Sequence, residues 1–562
     1  MTAPSSDVEA ARLLVGVLER QGVRRVVLSP GSRNAPLLVT AARSATIERH
    51  VVVDERSAAF FALGLARQSG ETVALACTSG TALLDYAPAV AEAYYQGVSL
   101  LVISADRPPE WIDQDDGQAI RQRGALAAVV KGSFELPVGT GDAERWHANR
   151  LVNEAINLSR EGMPGPVHVN VPLREPLYGF SPRPATAERV VAPAATYVAL
   201  AHGESARLRE RLFGSPAVMI VAGFMPPDEE LAAAIVRLTR MDNVVVLADT
   251  MANLPAPSVI NTVDRVLATI SPAERPALAP DLLITIGGAP LSRRLKEFIR
   301  EFPPAEHWHA GQRHAPPDTY RSLSLYANVS PVTFFRQLGA DTRATGDGYA
   351  ARWRERRTVA AARHEAAVAA LPWCDLKAFS LLLPALPAGC LLHLGNSTPA
   401  RYAQLFGASR AARTDGNRGT SGIEGATSTA AGAAVASGRL TVLVTGDLSF
   451  LYDSNALWGL PLPPGLKIVV MKNGGGGIFR CLPGPPGLPE AGELFETPHG
   501  VNIAALARVH GLETREAGDE GELRAALPGF LAPAARPAVL VIDTAGRPNG
   551  ELLKRYFEYL KM

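Results

Sequence analysis

At 562 residues the chain is too long for one hydrophobic core, and 47% hydrophobic with 20% charged residues is ordinary globular composition. A formal net charge of +1 gives no electrostatic reason to expect nucleic acid or an anionic membrane as a partner. The scattered cysteines (Cys77, Cys374, Cys390, Cys481) form no CxxC pair, which argues against a zinc site or a disulfide frame and fits a reducing compartment. No apolar run approaches membrane-spanning length, and the start, MTAPSSDVEAARLL, lacks a basic region followed by an apolar core, so a soluble cytoplasmic protein is expected.

In chain order, Ser6-Asp7-Val8-Glu9 reads as a capping box that opens an amphipathic helix to about Arg20, with Gly22 beyond its end. Strands are then expected at Val23–Leu28, Val51–Val53, Thr72–Cys77, Val98–Ser104 and Val167–Val171, with helices at Ser57–Arg67 and Ala82–Tyr95. The stretch Ser181–Tyr197, rich in Pro, Ala and Thr, reads as a linker. A second block carries strands at Ala217–Ala222, Val244–Ala248 and Leu282–Ile286, a loop at Asp341–Tyr349 and a helix at Val359–Ala370. A third carries strands at Leu391–Leu394, Leu440–Thr445, Leu466–Met471 and Ala538–Ile542. Alternating strands and helices without a short repeat predict an α/β chain of three doubly wound, mostly parallel-sheet domains. Their expected ranges are 1–185, 198–345 and 360–562.

The most informative stretch is Gly446 to Phe479, GDLSFLYDSNALWGLPLPPGLKIVVMKNGGGGIF. One strand stops at Gly446-Asp447 and the next delivers Asn473 and Gly474–Gly477. Two strand ends thus offer a carboxylate, an amide oxygen and backbone bare of side chains, where open α/β sheets bind ligands. Hard oxygen donors suit Mg²⁺ that also holds phosphate, and exposed backbone N–H groups suit a diphosphate. Read alone, the stretch is also compatible with a glycine-rich turn between core strands. In the first block, VVVDERSAAFFALG sets Glu55 after a strand and at the start of a helix; the plain reading is an acid stabilised by the helix dipole.

Gly446-Asp447 followed at a distance by Asn473 resembles the thiamine-diphosphate motif. The resemblance implies that Asp447, Asn473 and the backbone carbonyl of Gly475 hold a divalent metal, Mg²⁺ or Mn²⁺, which holds the diphosphate of the cofactor. It also gives Glu55 the role of hydrogen-bonding the aminopyrimidine ring, so that the ring assists removal of the thiazolium C2 proton. Within that group, SPGSRNAP (Ser29–Pro36), DERSAAFFALG, TSGTA (Thr78–Ala82), ISADRPPE (Ile103–Glu110), GQAIRQ (Gly117–Gln122), GNS (Gly395–Ser397) and NRGTSGIEG (Asn417–Gly425) resemble the 2-succinyl-5-enolpyruvyl-6-hydroxy-3-cyclohexene-1-carboxylate synthases of menaquinone biosynthesis. These transferases decarboxylate 2-oxoglutarate on thiamine diphosphate and add the succinyl carbanion equivalent to isochorismate with 1,4 sense, releasing CO₂.

By that resemblance Ser32, Arg33, Arg107, Gln118, Arg293, Arg294, Ser397, Arg401 and Arg418 line the substrate site, and Glu55, Arg33, Gln118, Arg401 and Arg418 take part in catalysis. Cofactor contacts fall to Glu55, Ser397, Ile423, Gly446, Asp447, Leu448, Ser449, Asn473, Gly475, Ile478, Phe479 and Leu482. Both substrates are dicarboxylates, and Arg carries the permanent planar fork that meets carboxylates. The three domains become a pyrimidine-binding, a central and a diphosphate-binding domain, and the assembly a homodimer with active sites at its interface, dimers pairing into tetramers. Three positions depart from the family pattern: Gly117 replaces a common Asn, Lys472 the first Asn of the usual Asn-Asn, and Arg293-Arg294 a common Lys-Arg. No His-His pair follows the Glu55 word, and His168, His307, His309 and His393 read as structural or surface groups. The alternatives are another thiamine carboligase, resembling the acetohydroxyacid synthases and marked by bound flavin, and a silent α/β nucleotide-binding protein.

Overall fold

The computed structural model describes residues 5–182, 189–255, 259–339, 348–407, 410–480 and 488–562. Apart from a two-stranded antiparallel pair, Ser5–Ser6 with Phe180–Ser181, its strands form three parallel sheets. The first contains β1 (Arg25–Leu28), β2 (Glu48–Val51), β3 (Val73–Cys77), β4 (Leu100–Asp106), β5 (Ser133–Glu135) and β6 (Val167–Pro172), in the order β2-β1-β3-β4-β6-β5. The second contains β7 (Val218–Ala222), β8 (Val244–Ala248), β9 (Leu282–Ile286), β10 (Glu306–Ala310) and β11 (Leu323–Ala327), in the order β8-β7-β9-β10-β11. The third contains β12 (Leu391–Leu394), β13 (Arg413–Asp415), β14 (Thr441–Gly446), β15 (Leu466–Lys472), β16 (Glu513–Ala517) and β17 (Ala538–Asp543), in the order β13-β12-β14-β15-β17-β16. Central strands such as VALAC, LLITI and TVLVT are buried along their length, as strands covered on both faces must be, and this is why they stand out as continuous apolar runs.

The chain divides into two compact units. One comprises Met1–Ala195, Gly419–Arg439 and Tyr452–Leu466, the other Thr196–Arg418, Leu440–Leu451 and Lys467–Met562. The first unit therefore combines the first sheet with two segments distant in sequence. The Glu55–Ser69 helix packs on the Ala426–Ser437 helix with glycines at the crossing: a Cβ on Gly64 would lie 2.1 Å from the Thr429 carbonyl oxygen, and one on Gly432 2.1 Å from that of Phe61. Both helices are almost wholly buried there, so neither backbone can step aside cheaply.

Several elements differ from expectation. The Glu9–Arg20 helix forms, but Val8 is its N-cap and no side chain caps it; Ser6 instead pairs with Phe180 in a short antiparallel bridge. The second strand runs over Glu48–Val51, earlier than Val51–Val53. The Ala82–Tyr95 helix is two, Thr81–Asp85 and Ala87–Gln96, because Pro88 has no N–H to continue the first and suits the opening turn of the second. The helix expected from Val359 begins at Tyr349, whose ring is buried with Trp353; of the expected loop before it, 341–347 lie outside the described residues. Five strands were not expected. Four of them (β5, β11, β13, β16) lie at sheet edges, where one face or one flank meets water and no apolar run is needed. The fifth, EHWHA, is interior but carries its buried bulk as His307, Trp308 and His309. Among the described residues no helix is long and apolar enough to cross a membrane.

Adding a methyl at the helix crossing tests this packing. Gly64→Ala should lower stability by about 1–3 kcal/mol, the usual cost of overpacking, read as a fall in the thermal unfolding midpoint; Gly22→Ala meets no atom within 4 Å and reports only the cost of its positive φ.

Candidate active site

β14 and β15 are neighbours in the third sheet, so their carboxyl ends open side by side. Asp447, the residue after β14, is buried; its Oδ1 accepts from the Leu448 N–H at 2.8 Å and its Oδ2 from the Gly474 N–H at 2.8 Å. Asn473, the residue after β15, is 4% exposed. Its Nδ2 donates to Asp375 Oδ2 at 3.0 Å, while its Oδ1 is buried and meets no hydrogen-bond donor. Gly474 and Gly475 take φ of 88° and 142°, and a Cβ on Gly475 would fall 2.2 Å from the Glu496 carbonyl oxygen. Only glycine fits there. The Gly475 carbonyl accepts from Gly477 N–H at 2.8 Å, and Arg480 closes the turn on Glu496 at 2.7 Å.

A carboxylate, an orphaned amide oxygen and a turn carbonyl are the donor set a hard divalent cation takes, and a buried amide oxygen without a donor costs free energy until something positive meets it. These residues fit the metal that the sequence motif implies. Gly446, Leu448 and Ser449 surround the cradle by adjacency. Ile478 and Phe479 follow it, the Phe479 ring centroid 5.6 Å from that of Phe495. Leu482 and Cys481 lie outside the described residues. His499, which the sequence reading passed over, places Nε2 3.4 Å from Asp447 Oδ2; nothing in the spacing of ETPHG announces it.

The same unit gathers Arg293, Arg294, Arg401 and Ile478 around a cavity of about 390 Å³, closed on another side by Lys554 and Phe557 of the C-terminal helix. Arg294 lies 4.2 Å over the Phe557 ring, and Arg293 pairs with Glu297 at 2.7 Å. Ser397, between β12 and the Thr398–Phe406 helix, adopts φ +73°, a conformation that non-glycine residues hold only where their surroundings impose it. Arg418 donates to Asn396 Oδ1 at 2.6 Å. Two buried acids fix the Leu291-Ser292 turn ahead of Arg293: Asp249 Oδ2 accepts from Leu291 N–H at 2.8 Å, and Asp264 Oδ1 from the Ser292 hydroxyl at 2.7 Å. Burial pushes the Asp249 carboxyl up to about 7, against the pull of the Leu291 hydrogen bond and of Arg418.

The first unit carries the remaining positions on the carboxyl-end rim of its sheet. Glu55 opens its helix behind Asp54, which caps the Ser57 N–H at 2.7 Å. Burial raises the Glu55 carboxyl above its ordinary value, and the charges of Asp85 and Asp54 add to it. Arg107 is brought together with Gln118: its guanidinium donates to Asp116 at 2.6 Å, to the Ser79 hydroxyl and to the Gln118 carbonyl at 3.3 Å. Gln118 itself sits at φ 57°. Arg33 is buried and donates to the Leu173 carbonyl and to Glu175, both at 3.1 Å; Ser32 beside it is exposed. Ile423, also in this unit, leaves 38% of its surface exposed.

Family models agree with both ends of this description. Residues 8–126 match the thiamine pyrophosphate enzyme, N-terminal TPP binding domain, and residues 394–542 the thiamine pyrophosphate enzyme, C-terminal TPP binding domain. The chain is 43% identical to the 2-succinyl-5-enolpyruvyl-6-hydroxy-3-cyclohexene-1-carboxylate synthase of Porphyromonas gingivalis, over 100% of this chain and 98% of the relative. The chain belongs to that synthase family. Proteins of the same name from Cytophaga hutchinsonii and Bacteroides fragilis are 39% and 38% identical, covering 96% and 99% of this chain and 97% and 100% of theirs.

Membership sharpens the three departures. Lys472 sits opposite Asp543 in register and its ammonium meets that carboxylate at 2.7 Å, an ion pair between neighbouring strands. A Cβ on Gly117 would meet nothing within 4 Å, so no backbone or side chain there requires glycine for space. Arg293 and Arg294 keep the charge of the Lys-Arg pair, one on Glu297 and one on an aromatic face. The histidines are structural rather than surface groups: His168, His307, His309 and His393 are all buried, and burial lowers the first three to about 4, 4 and 3.

The Asp249 carboxyl gives a pH test. Its folded value lies above the unfolded one, so the folded state holds its proton more tightly, and stability falls as pH rises from about 4 to about 7. Asp249→Asn removes that loss: its unfolding midpoint should match the parent near pH 4 and exceed it near pH 8.

Proposed function

We propose that the protein is the thiamine-diphosphate- and Mg²⁺-dependent (or Mn²⁺-dependent) transferase that decarboxylates 2-oxoglutarate and adds the succinyl unit to isochorismate with 1,4 sense. The products are 2-succinyl-5-enolpyruvyl-6-hydroxy-3-cyclohexene-1-carboxylate and CO₂, in menaquinone biosynthesis in the cytoplasm. The observation that carries the reading is the buried Asp447–Asn473–Gly475 cradle within a chain whose full-length relatives bear that synthase name. Those names do not favour the acetohydroxyacid-synthase-like alternative. The proposed domains are pyrimidine-binding 1–185, central 198–345 and diphosphate-binding 360–562.

Bound in the cradle, thiamine diphosphate supplies the electron sink that decarboxylation and carbon–carbon bond formation require. The chain supplies the rest. Asp447, Asn473 and the Gly475 carbonyl would hold the metal that carries the diphosphate. Glu55, its proton affinity raised by burial, would share a proton with the aminopyrimidine ring. Arg293, Arg294 and Arg401 present forks to substrate carboxylates in the cavity they line, where bidentate charge-assisted bonds can form. Arg33, Arg107 and Gln118 meet isochorismate, whose carboxylates compete with Glu175 and Asp116 for the two guanidinium groups.

A homodimer, with dimers pairing into tetramers, completes the proposal. Around Glu55 the surface carries large apolar side chains: Val51, Val53, Tyr452 and Trp458 each leave half or more of their area exposed. They are tied together locally, Arg56 stacking 4.8 Å over the Tyr452 ring and Asn455 linking Trp458 to Asp54. A second copy that buries them would put a dry wall beside the acid, as its proton chemistry requires.

Product analysis with 2-oxoglutarate and isochorismate, with and without thiamine diphosphate, tests the activity; no adduct with the cofactor present rejects it. Glu55→Gln should bind cofactor normally and lose about 10²–10⁴-fold in kcat, and near-parental turnover removes Glu55 from its role. Arg401→Ala should raise the KM of a carboxylate substrate by about 10- to 100-fold, the worth of one charged hydrogen bond; an unchanged KM and kcat would take it out of the site.

A further inference from the structure

Asp375 is the first residue of the Asp375–Ala385 helix, far from the glycine loop in sequence, and the sequence reading gave it no role. An acid at that position ordinarily turns to its own helix N–H groups or to water. This one does neither. It is 1% exposed, its Oδ2 accepts from Asn473 Nδ2 at 3.0 Å and its Oδ1 accepts from the Thr544 hydroxyl. Its own backbone N–H donates to Asn549 Oδ1 at 2.9 Å, and Asn549 Nδ2 donates to the Thr544 carbonyl at 3.3 Å. Asn473 and Thr544, just beyond β17, thus each hydrogen-bond one carboxylate oxygen, while Asn549 of the C-terminal helix holds the Asp375 backbone.

The consequence falls on Asn473. An amide has one accepting and one donating end, and the two look alike except through their partners. A carboxylate only accepts, so Asp375 compels the Asn473 NH₂ to face it and the Oδ1 to face the other way. That oxygen is the buried atom left without a donor, in the loop where Asp447 and Gly475 place theirs.

We infer that Asp375 is a positioning residue for the cation: held by Thr544 and Asn549, it locks the Asn473 amide with its oxygen presented to the metal. The inference rests on the metal cradle proposed above and adds a residue to it. Partners behind a ligand typically change metal affinity by about 10- to 100-fold.

The test is Mn²⁺ binding to the full-length protein with thiamine diphosphate present, followed by the electron paramagnetic resonance of free Mn²⁺, alongside thermal unfolding without metal or cofactor. Asp375→Ala should weaken Mn²⁺ by about 10- to 100-fold. Asp375→Asn keeps an acceptor for the Asn473 NH₂ and should restore affinity to within a few-fold of the parent. Thr544→Val removes only the hydroxyl behind Asp375 and should cost about 2- to 10-fold, giving a reading even where the alanine variant does not fold. Parental Mn²⁺ affinity in Asp375→Ala, or in Thr544→Val where the alanine variant does not fold, overturns the inference. So does an asparagine variant as weak as the alanine one, since charge and not aim would then matter. A parent protein that binds no Mn²⁺ with thiamine diphosphate present instead brings down the cradle reading beneath it.

Discussion

Parallel pairing in the third sheet is the constraint from which the cradle follows. β14 and β15 run side by side in one direction, so Asp447 and Asn473 emerge at the same edge although a long stretch of chain separates them. Neither oxygen alone would hold a small hard cation against water. Two of them, fixed by strand ends and joined by a glycine turn that no side chain can enter, form a site with little entropy left to lose. Burial leaves the Asn473 amide oxygen without a donor, a cost that a cation in the proposed metal site would relieve.

The arginines follow a different logic. Those at the 390 Å³ cavity are held by short-range contacts within their own unit, Arg293 by Glu297 and Arg294 by the Phe557 face, and two buried acids anchor the turn ahead of them. Arg33 and Arg107 already carry protein carboxylates. In the proposed substrate site, these acids would keep the permanently charged forks ordered until a better-fitting dicarboxylate displaces them. The raised proton affinity of Glu55 belongs to the same economy. It arises mainly from burial and is reinforced by neighbouring acids on its own rim.

Much was legible in the chain itself. VALAC, LLITI and TVLVT announce central strands because a strand covered on both faces has no alternative to apolar residues. Gly-Asp at one strand end and Asn-Gly-Gly at the next announce the cradle, since the backbone geometry admits only glycine at Gly475. Edge strands such as ETREA and LSLYA did not announce themselves, because exposure relaxes the rule that makes a strand readable. The capping box at Ser6 misled for a related reason: its spacing is right, but the segment is drawn into pairing with Phe180.

The sequence by itself determined the α/β class, the strand ends that carry Asp447 and Asn473, the helix start at Glu55 and the glycines after Asn473, because local sterics and burial dictate those residue types wherever they occur. Tertiary structure alone decided that Asp375 stands behind Asn473, that His499 approaches Asp447, and that the Ala426–Ser437 helix packs on the helix of Glu55. Such pairings join residues far apart in the chain through single hydrogen bonds or one close crossing. They leave no period or spacing in the sequence, since only the folded path of the backbone sets the distance between them.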